Sequence, residues 1–405
     1  MKIQGISFLK QTNNVKLNSN NSVTHLKNMP MDSFHSSKTN AVAFRGDNFD
    51  KIRYGAEAKL HVLHSRNLVD NASTIRVNGY SVLTDAKDIL SQAEDYKEEG
   101  AMLFDKVMDS FEKAQEAGYT MVLGDKDSNF AKRVFHRNPN NEIVMEEYGK
   151  RGNLLLRATK GEKQLAIEPF DLDEYNNVKR NVYRFDIETG ALREYIDYLF
   201  KGNKTLIDTE DYYRFDEAGN LELYANDYKK NKDGSESALL YFEFDSDSNL
   251  IRYSEDYELD SNGFEQASAI YRYALNSGSH RRDKKPQNEV LSYSENSIYK
   301  PSEGQSETQK YVFNLDNLEL AAFYKDFAVD SQGNESSKLA MLFDSELLNE
   351  TLVNYSLDDD GIQKADKMFY YSDEEPVFCY LNHEVKLSGK EGYDKIITLQ
   401  NAKIN

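Results

Sequence analysis

Residues Tyr213–Tyr224 read YRFDEAGNLELY, and this arrangement returns several times along the chain. An aromatic residue, any residue, a second aromatic residue and Asp are followed by a short turn and another partly apolar stretch. Consecutive copies lie about 29 residues apart, a spacing typical of repeat proteins. The copies begin at Tyr183, Tyr213 and Phe242, with further starts at Tyr271, Tyr311 and Met341 and a looser one at Leu154.

Each copy predicts two strands joined by turns. Side chains alternate between the two faces of a strand, so Tyr213 and Phe215 should share one face, and Gly219 can adopt the positive φ of a turn. A single hairpin is marginal in water, and neighbouring copies therefore have to continue one sheet. We predict a mainly β protein with an elongated antiparallel β-meander repeat domain over residues 119–400.

The first residues of the chain have a different composition. Residues 1–45 contain six Lys or Arg against one acidic residue, Asp32, and are rich in Asn and Ser. Too little apolar surface is present to offset the entropy of ordering. We predict a disordered leader there.

Residues 46–118 are predicted to be helical, with a short hairpin. The dipeptide Asn78–Gly79 favours a type I′ turn between two short strands. The clearest helix is Asp85–Ala117, which has an apolar face of helical period, Thr84 as its cap and a glycine after its end. A long helix should therefore precede the repeats.

The tetrad and turn of Tyr213–Tyr224 resemble the YD repeats of the Rhs family and, more loosely, the MORN-variant repeats of some bacterial antitoxin-like proteins. The resemblance covers residues 154–370 and implies a sheet built from β-hairpins. The spacing in this chain is longer than the short YD unit. The leader ending in AVAFRGDN, followed by a helix and β repeats, also resembles a class of bacterial proteins, and this resemblance implies no activity.

Charge and cysteine content limit the function classes. The formal charge of −19 weighs against a general nucleic-acid binder, because phosphate neutralisation needs clustered Lys and Arg. Cys379 is the only cysteine, which excludes an intrachain disulfide. Because no apolar stretch has the length of a signal-peptide core or a membrane span, we expect no membrane insertion and a cytoplasmic location by default. Export by a route without a cleaved signal peptide stays open.

Motifs of known chemistry are missing from the sequence. It contains no GxSxG, P-loop or GxGxxG, and we predict no catalytic residue, cofactor or metal site. Asp245, Asp247, Asn249 and Asp256 place oxygen groups in the frame of an EF-hand calcium loop, but Leu250 stands where that loop needs glycine. A polar turn is the better interpretation.

One recurring pair supports a binding hypothesis. The second strand of several copies ends in an acidic residue followed by an aromatic one. Aligned across a sheet, these pairs would form an acidic, aromatic-lined stripe suited to sugars or to a basic protein surface. The alternative is structural: the ring packs inward and the carboxylate points to solvent. The candidate binding residues are Asp197, Tyr198, Asp227, Tyr228, Asp256, Tyr257, Asp326 and Phe327.

The sequence favours a non-enzymatic repeat scaffold that interacts with another macromolecule, a protein rather than a nucleic acid. A secreted effector or toxin-system component built on YD-like repeats is the first alternative, and a carbohydrate-binding or carbohydrate-acting protein is the second. The identity of the partner and the oligomeric state stay open.

Overall fold

A computed structural model of the chain describes most residues after the leader, and all the described residues belong to the unit Phe44–Asn405. The leader predicted for residues 1–45 lies outside them. The described ranges are 47–65, 75–77, 80–113, 119–124, 126–172, 178–200, 207–275, 288–314, 318–344, 347–358, 360–372 and 375–399.

Two helices precede the repeats. Helix α1 is Asp47–Ser65 and helix α2 is Val82–Lys113. Between them lies a short hairpin, in which β1 (Arg76–Val77) pairs with β2 (Tyr80–Ser81).

Helix α2 begins earlier than the sequence suggested. The Ser81 hydroxyl oxygen accepts the backbone N–H of Thr84 at 3.4 Å. Ser81 is therefore the cap, and the expectation that Thr84 fills that role was wrong. A serine that ends a strand and precedes the first helical turn satisfies one of the free amides there.

The rest of the described chain forms one antiparallel sheet, in which strands pair with the next strand along the sequence or, where a two-residue strand intervenes, with the next but one. This confirms the predicted mainly β antiparallel meander. Its strands are β3 Tyr119–Leu123, β4 Lys132–Arg137, β5 Ile143–Tyr148, β6 Leu154–Lys160, β7 Gln164–Leu172, β8 Val178–Asp186, β9 Leu192–Phe200, β10 Ile207–Phe215, β11 Leu221–Asn226, β12 Lys229–Lys230, β13 Glu236–Phe244, β14 Leu250–Leu259, β15 Glu265–Leu275, β16 Asn288–Lys300, β17 Gly304–Phe313, β18 Leu320–Asp330, β19 Glu335–Asp344, β20 Leu347–Leu357, β21 Gln363–Ser372, β22 Glu375–Val385, β23 Glu391–Gly392 and β24 Lys395–Thr398.

One face of this sheet, called here the helix face, packs against both helices. Helix α1 contacts β18, whereas α2 contacts β3, β7, β9 and β11. A single buried cluster joins Phe49 and Ala56 of α1, Ile89 of α2 and side chains of strands from β4 to β21. Because strands are about 4.8 Å apart, a flat sheet could not bring so many strands to two helices. The sheet therefore curves around them.

A row of aromatic rings runs across the helix face, one from each consecutive long strand. Neighbouring ring centroids are 4.7–5.9 Å apart. This separation matches the distance between strands and falls in the favourable range for aromatic pairs. The members of this ring row are Tyr183, Tyr195, Tyr213, Tyr224, Phe242, Tyr253, Tyr271, Tyr293, Tyr311 and Phe323.

The aromatic tetrads account for every second member of the ring row. Tyr213 and Phe215 are both buried in the cluster on the helix face, as the alternation along a strand predicts. Helix α2 adds a ring to one end of the ring row, because the ring centroid of Tyr96 on α2 lies 4.9 Å from that of Tyr183.

In the copy that begins at Tyr213, the Asp of the tetrad closes the turn. The backbone N–H of Asp216 donates to the Asn220 carbonyl, and its carboxylate accepts the N–H of Asn220 at 2.8 Å. Gly219 adopts a φ of 85° there, a conformation that costs glycine nothing. These hydrogen bonds to the ionised carboxylate hold the pKa of Asp216 below its usual value, although partial burial acts in the opposite direction.

We predict that equivalent tetrad positions contribute equally to stability. Phe215 is 0% exposed and Phe244 is 5% exposed. Replacing either with Ala should lower the free energy of unfolding by about 3–5 kcal/mol, the usual cost of truncating a buried Phe. Chemical denaturation of the two variants measures this.

The control is Glu217→Ala in the exposed turn, which should cost less than about 0.5 kcal/mol. A large cost at Phe215 with none at Phe244 would contradict the equivalence of the two strand pairs.

Candidate functional site

The acidic–aromatic pairs contain a backbone feature that the sequence analysis missed. Asp227, Asp256 and Asp326 have φ values of 52°, 50° and 52°, in the left-handed region. Asn and Asp are the non-glycine residues that tolerate this region best. Asn296, Asn354 and Asn382 have the same conformation, and the six residues together are called here the left-handed row.

Each left-handed residue interrupts the ladder between two strands. Lys325 pairs with Leu339 and Phe327 pairs with Ser337, whereas Asp326 between them is unpaired in the backbone ladder. The interruption changes which face the next side chain occupies. Tyr253 lies on the helix face, yet Tyr257, four residues later, belongs to a cluster on the opposite face. In an unbroken strand both would share a face.

The side chains of the left-handed row bond to the neighbouring strand in a regular way. In five cases the side chain contacts the residue twelve positions further along the chain. Four of these contacts are hydrogen bonds and one is an ion pair. The distances are 2.8 Å for Asp256–Ser268, 3.1 Å for Asn296–Thr308, 3.0 Å for Asp326–Lys338, 2.7 Å for Asn354–Asp366 and 2.6 Å for Asn382–Asp394.

Three of the four rings of the predicted pairs are buried on the opposite face, and Tyr198 is partly buried there. Tyr228 and Tyr257 are each 3% exposed, and Phe327 is 2% exposed. Tyr228 stacks on Tyr212 with centroids 4.2 Å apart, and Tyr257 stacks on Tyr241 at 3.9 Å. Lys310 takes the place of the second ring for Phe327, with its Nζ 3.8 Å from the ring centroid.

The structure brings only some of the predicted site residues together. Tyr198, Tyr228 and Tyr257 meet in one cluster on the opposite face, whereas Phe327 lies outside it, across intervening strands. Asp227 and Asp256 are exposed and Asp326 is half-exposed. Asp197 differs from these three.

Asp197 lies on the helix face of the sheet. It pairs with Asp211 and acts electrostatically on Tyr183, Tyr195 and Tyr213. The φ of Asp197 is not left-handed, and the irregularity at this place lies in the neighbouring strand, where the register shifts between Thr209 and Asp211.

A second polar feature lies on the helix face, beside the ring row. The Tyr253 hydroxyl donates to Glu255 at 2.7 Å, the Tyr293 hydroxyl to Glu295 at 3.1 Å and the Tyr224 hydroxyl to Asp211 at 2.5 Å. The Tyr311 hydroxyl donates in the same way to Gln309 at 2.8 Å. The four acceptors, Asp211, Glu255, Glu295 and Gln309, form what is called here the acceptor row.

Burial sets the chemistry of these hydroxyls. It raises the pKa of Tyr224 and of Tyr293 far above the usual value, and the neighbouring carboxylates add to the effect. Each hydroxyl therefore keeps its proton at neutral pH and acts as a donor. The hydrogen bonds of these hydroxyls fix the rings in place.

The calcium-loop oxygens have other roles. The Asp245 carboxylate accepts the backbone N–H groups of Asp247 and Asn249 at 2.9 and 2.8 Å. Asp256 belongs to the left-handed row and bonds to Ser268. Within the described ranges no three His, Cys, Asp or Glu side chains are grouped as a metal site requires.

The opposite face also contains buried polar groups that break its aromatic pattern. His383 follows the left-handed Asn382, as Tyr257 follows Asp256, and is 3% exposed. Its ring nitrogens have no hydrogen bond, and its Nε2 lies 3.8 Å from a Glu391 oxygen. Glu307, also 3% exposed, accepts hydrogen bonds from Arg272 and Gln305.

A polar cleft at one end of the sheet has none of the predicted site residues. It encloses about 530 Å³ between the β4–β5 and β6–β7 turns, and it is lined by polar side chains that include Arg137, Glu142 and Lys163. Arg137 donates to the Asn141 carbonyl at 2.8 Å and so stabilises the β4–β5 turn.

No protein-family model matches the chain, and no curated protein matches it either. Among the residues that the structure describes, neither helix has the length and apolar character needed to cross a membrane.

A buried hydroxyl next to the ring row gives a sharp test of the packing. Tyr273 occupies the position that Phe215, Phe244 and Phe313 fill in other strands, and its hydroxyl is buried without a hydrogen-bond partner. Tyr273→Phe should raise the free energy of unfolding by about 1 kcal/mol, because an unpaired polar group leaves the core.

The matched variant is Tyr253→Phe, which removes a hydroxyl that donates to Glu255. It should lower the free energy of unfolding by about 1–2 kcal/mol, as expected for a hydrogen bond to a charged group. Equal effects in both variants, measured by denaturant titration, would show that the hydrogen-bond assignment is wrong.

Proposed function

We propose that this chain is a non-enzymatic repeat scaffold that presents a periodic surface to another macromolecule. The observation that carries the proposal is the left-handed row. It recurs in successive strand pairs, and five of its six members are joined in the same way to the following strand. Two strands span about 9.6 Å, so equivalent groups are presented at about that interval.

The repeating unit that we propose comprises two strands and about 29 residues. The left-handed residues support this size: Asp256 follows Asp227 by 29 positions, and Asn354 follows Asp326 by 28. The resemblance to YD and MORN-variant repeats rests on the same tetrad and turn. In such a unit each copy contacts mainly its neighbours, so stability is close to a sum of local terms.

The chemistry of the exposed groups favours a basic protein as the partner. The rings of the acidic–aromatic pairs are buried, so that a sugar could not stack on them without displacing Tyr212 or Tyr241. The carboxylates of Asp227 and Asp256 are the parts of the pairs that solvent reaches. With a net charge of −19, the chain repels phosphate backbones and attracts cationic surfaces.

Removing one unit tests the proposed size. Deleting residues 213–241 joins Tyr212 to Phe242, and the following residues continue the strand in the same register and direction. The shortened protein should unfold cooperatively with a lower Tm, because two strands leave and the remaining contacts are kept. Calorimetry and far-UV circular dichroism measure this.

The control deletes residues 213–227, about one strand and its turn. Loss of a single strand reverses every later strand, so the later strands could extend the ladder only with their aromatic residues turned away from the helix face. A folded product from this control, together with an unfolded product from the first deletion, would refute the two-strand unit.

The function itself is tested by removing charge from the left-handed row without changing its backbone. Asn already occupies this row at three positions, so Asp227→Asn with Asp256→Asn should preserve the fold. The immobilised double variant should capture severalfold less of a basic partner from native-cell extract than the original protein, as quantified by mass spectrometry. The captured partner should also dissociate as salt rises.

The matched control is Glu217→Gln with Asp247→Asn, which removes the same charge from exposed turns. It should retain the partner. Equal loss in both double variants would indicate non-specific attraction to an acidic protein, and equal capture by all three would exclude the left-handed row as the binding surface.

A further inference from the structure

The left-handed row runs straight across the strands. Each of its members directly follows a residue of one line of ladder partners, in which every residue lies opposite the next on the neighbouring strand. This line consists of Asn226, Leu240, Glu255, Ala269, Glu295, Gln309, Lys325, Leu339, Val353, Lys367 and Leu381. Because the line has no stagger, the left-handed residues lie at the same height on alternate long strands.

The carboxylate changes place within the cross-strand pairs of this row. In one unit the left-handed residue is the acid, and Asp256 accepts the Ser268 hydroxyl at 2.8 Å. In the last two units the left-handed residue is Asn, and it donates to an acid twelve positions further on. These pairs are Asn354–Asp366 at 2.7 Å and Asn382–Asp394 at 2.6 Å.

Backbone conformation does not explain this exchange. The positive φ favours Asn or Asp at the left-handed position and makes no demand on the partner, which is Ser268 or Thr308 in other units. Where Asn discards the charge, the partner restores it. The exchange therefore indicates that the carboxylate at this place has a role of its own.

Five of the six units present one carboxylate in this way, and the five are called here the carboxylate row. Four of them belong to exposed residues, and the side chain of Asp326 is 37% exposed. The unit Asn296–Thr308 is uncharged and leaves a gap in the carboxylate row. The members are Asp227, Asp256, Asp326, Asp366 and Asp394.

A lysine of the chain itself already occupies one position of the carboxylate row. Lys338 Nζ lies 3.0 Å from an Asp326 oxygen, and its side chain is 76% exposed. Lys338 stands where Ser268 stands in the unit of Asp256. The contact shows that an ammonium group on a flexible stem fits this place.

The interval of the row restricts the shape of a partner. Units are two strands apart, about 9.6 Å. A polyproline II segment rises about 3.1 Å per residue with three residues per turn, so every third side chain points the same way at about 9.3 Å. A β-strand places residues i and i+3 on opposite faces. In an α-helix the nearest match is about 10.5 Å, at every seventh residue, and its mismatch grows about three times faster.

We propose that the carboxylate row binds an extended segment of a basic protein in which every third residue is Lys or Arg. Each cation of the segment meets one carboxylate, as Lys338 meets Asp326 within the chain. The inference rests on the proposed scaffold function and specifies its partner. It adds a spacing requirement that a merely acidic surface does not have.

Two synthetic peptides of identical composition test the spacing with the full chain. One is Lys-Pro-Pro repeated six times, and the other has its six lysines in one block between prolines. Fluorescence anisotropy at low ionic strength, where screening is weak, measures both dissociation constants. The spaced peptide should bind severalfold more tightly. Equal binding would overturn the spacing requirement and leave the acidic surface of the proposed function in place, and a failure of both peptides to bind would overturn the inference.

Substitutions in the row should change the affinity for the spaced peptide in both directions. An exposed ion pair contributes about 1.5- to 5-fold in affinity. Asn296→Asp fills the gap and should tighten binding by about that factor, and its fold should be retained because Asp has the same conformation at three other units. Lys338→Gln releases Asp326 and should act in the same direction. Asp366→Asn should weaken binding.

The matched controls alter the same charge at exposed places outside the row. Gln332→Glu adds one negative charge in a turn, and Lys232→Gln removes one positive charge from another turn. Neither should change the affinity for the spaced peptide by as much as its counterpart in the row. Equal effects of Asn296→Asp and Gln332→Glu would show that only net charge matters and would overturn the proposal. Far-UV circular dichroism of each variant establishes that the fold is retained.

Discussion

The contact between aromatic rings on consecutive strands is the interaction on which the rest of this structure depends. A single-layer meander sheet has no core of its own, so one of its faces must be buried against another layer of structure. Here the ring row supplies a continuous apolar stripe, and neighbouring centroids such as those of Phe242 and Tyr253 are 4.7 Å apart. Because this spacing equals the distance between strands, each added strand extends the stripe on which the helices pack.

The left-handed row determines which side chains are buried on the face opposite the helices. A strand with strict alternation would place Tyr253 and Tyr257 together on the helix face and leave the opposite face polar. A single left-handed Asp between them directs Tyr257 to the opposite face, where it stacks on Tyr241. The same residue then bonds to the next strand, so that the local conformational cost is offset by a cross-strand contact.

The sequence predicted the strands and turns because these depend on local rules. The two-residue alternation of Tyr213 and Phe215 and the glycine at position 219 each specify a local conformation. In the acidic–aromatic pairs the charge of Asp was the evident feature of the sequence, whereas the structure shows that its tolerance of positive φ also matters. The sequence contained a signal of this conformation, because Asn replaces Asp in equivalent pairs such as Asn354–Tyr355. Asn shares the tolerance of positive φ but has no charge.

Other features of the site could not be derived from local rules. Lys59 and Glu295 are more than two hundred residues apart, and only the curvature of the sheet brings them within 3.1 Å. Such pairs depend on which strand each helix crosses, and neither periodicity nor composition encodes that crossing.

A double-mutant cycle on the ring row tests the central claim most directly. Phe242 and Tyr253 are adjacent in the row, whereas Phe242 and Tyr311 are separated by three rings. With Leu as the replacement at each position, the adjacent pair should show a coupling free energy of about 0.5–1.5 kcal/mol. The separated pair should be additive within about 0.5 kcal/mol. Additivity in the adjacent pair, or equal coupling in both, would contradict the account of a sheet held together by ring-to-ring contacts.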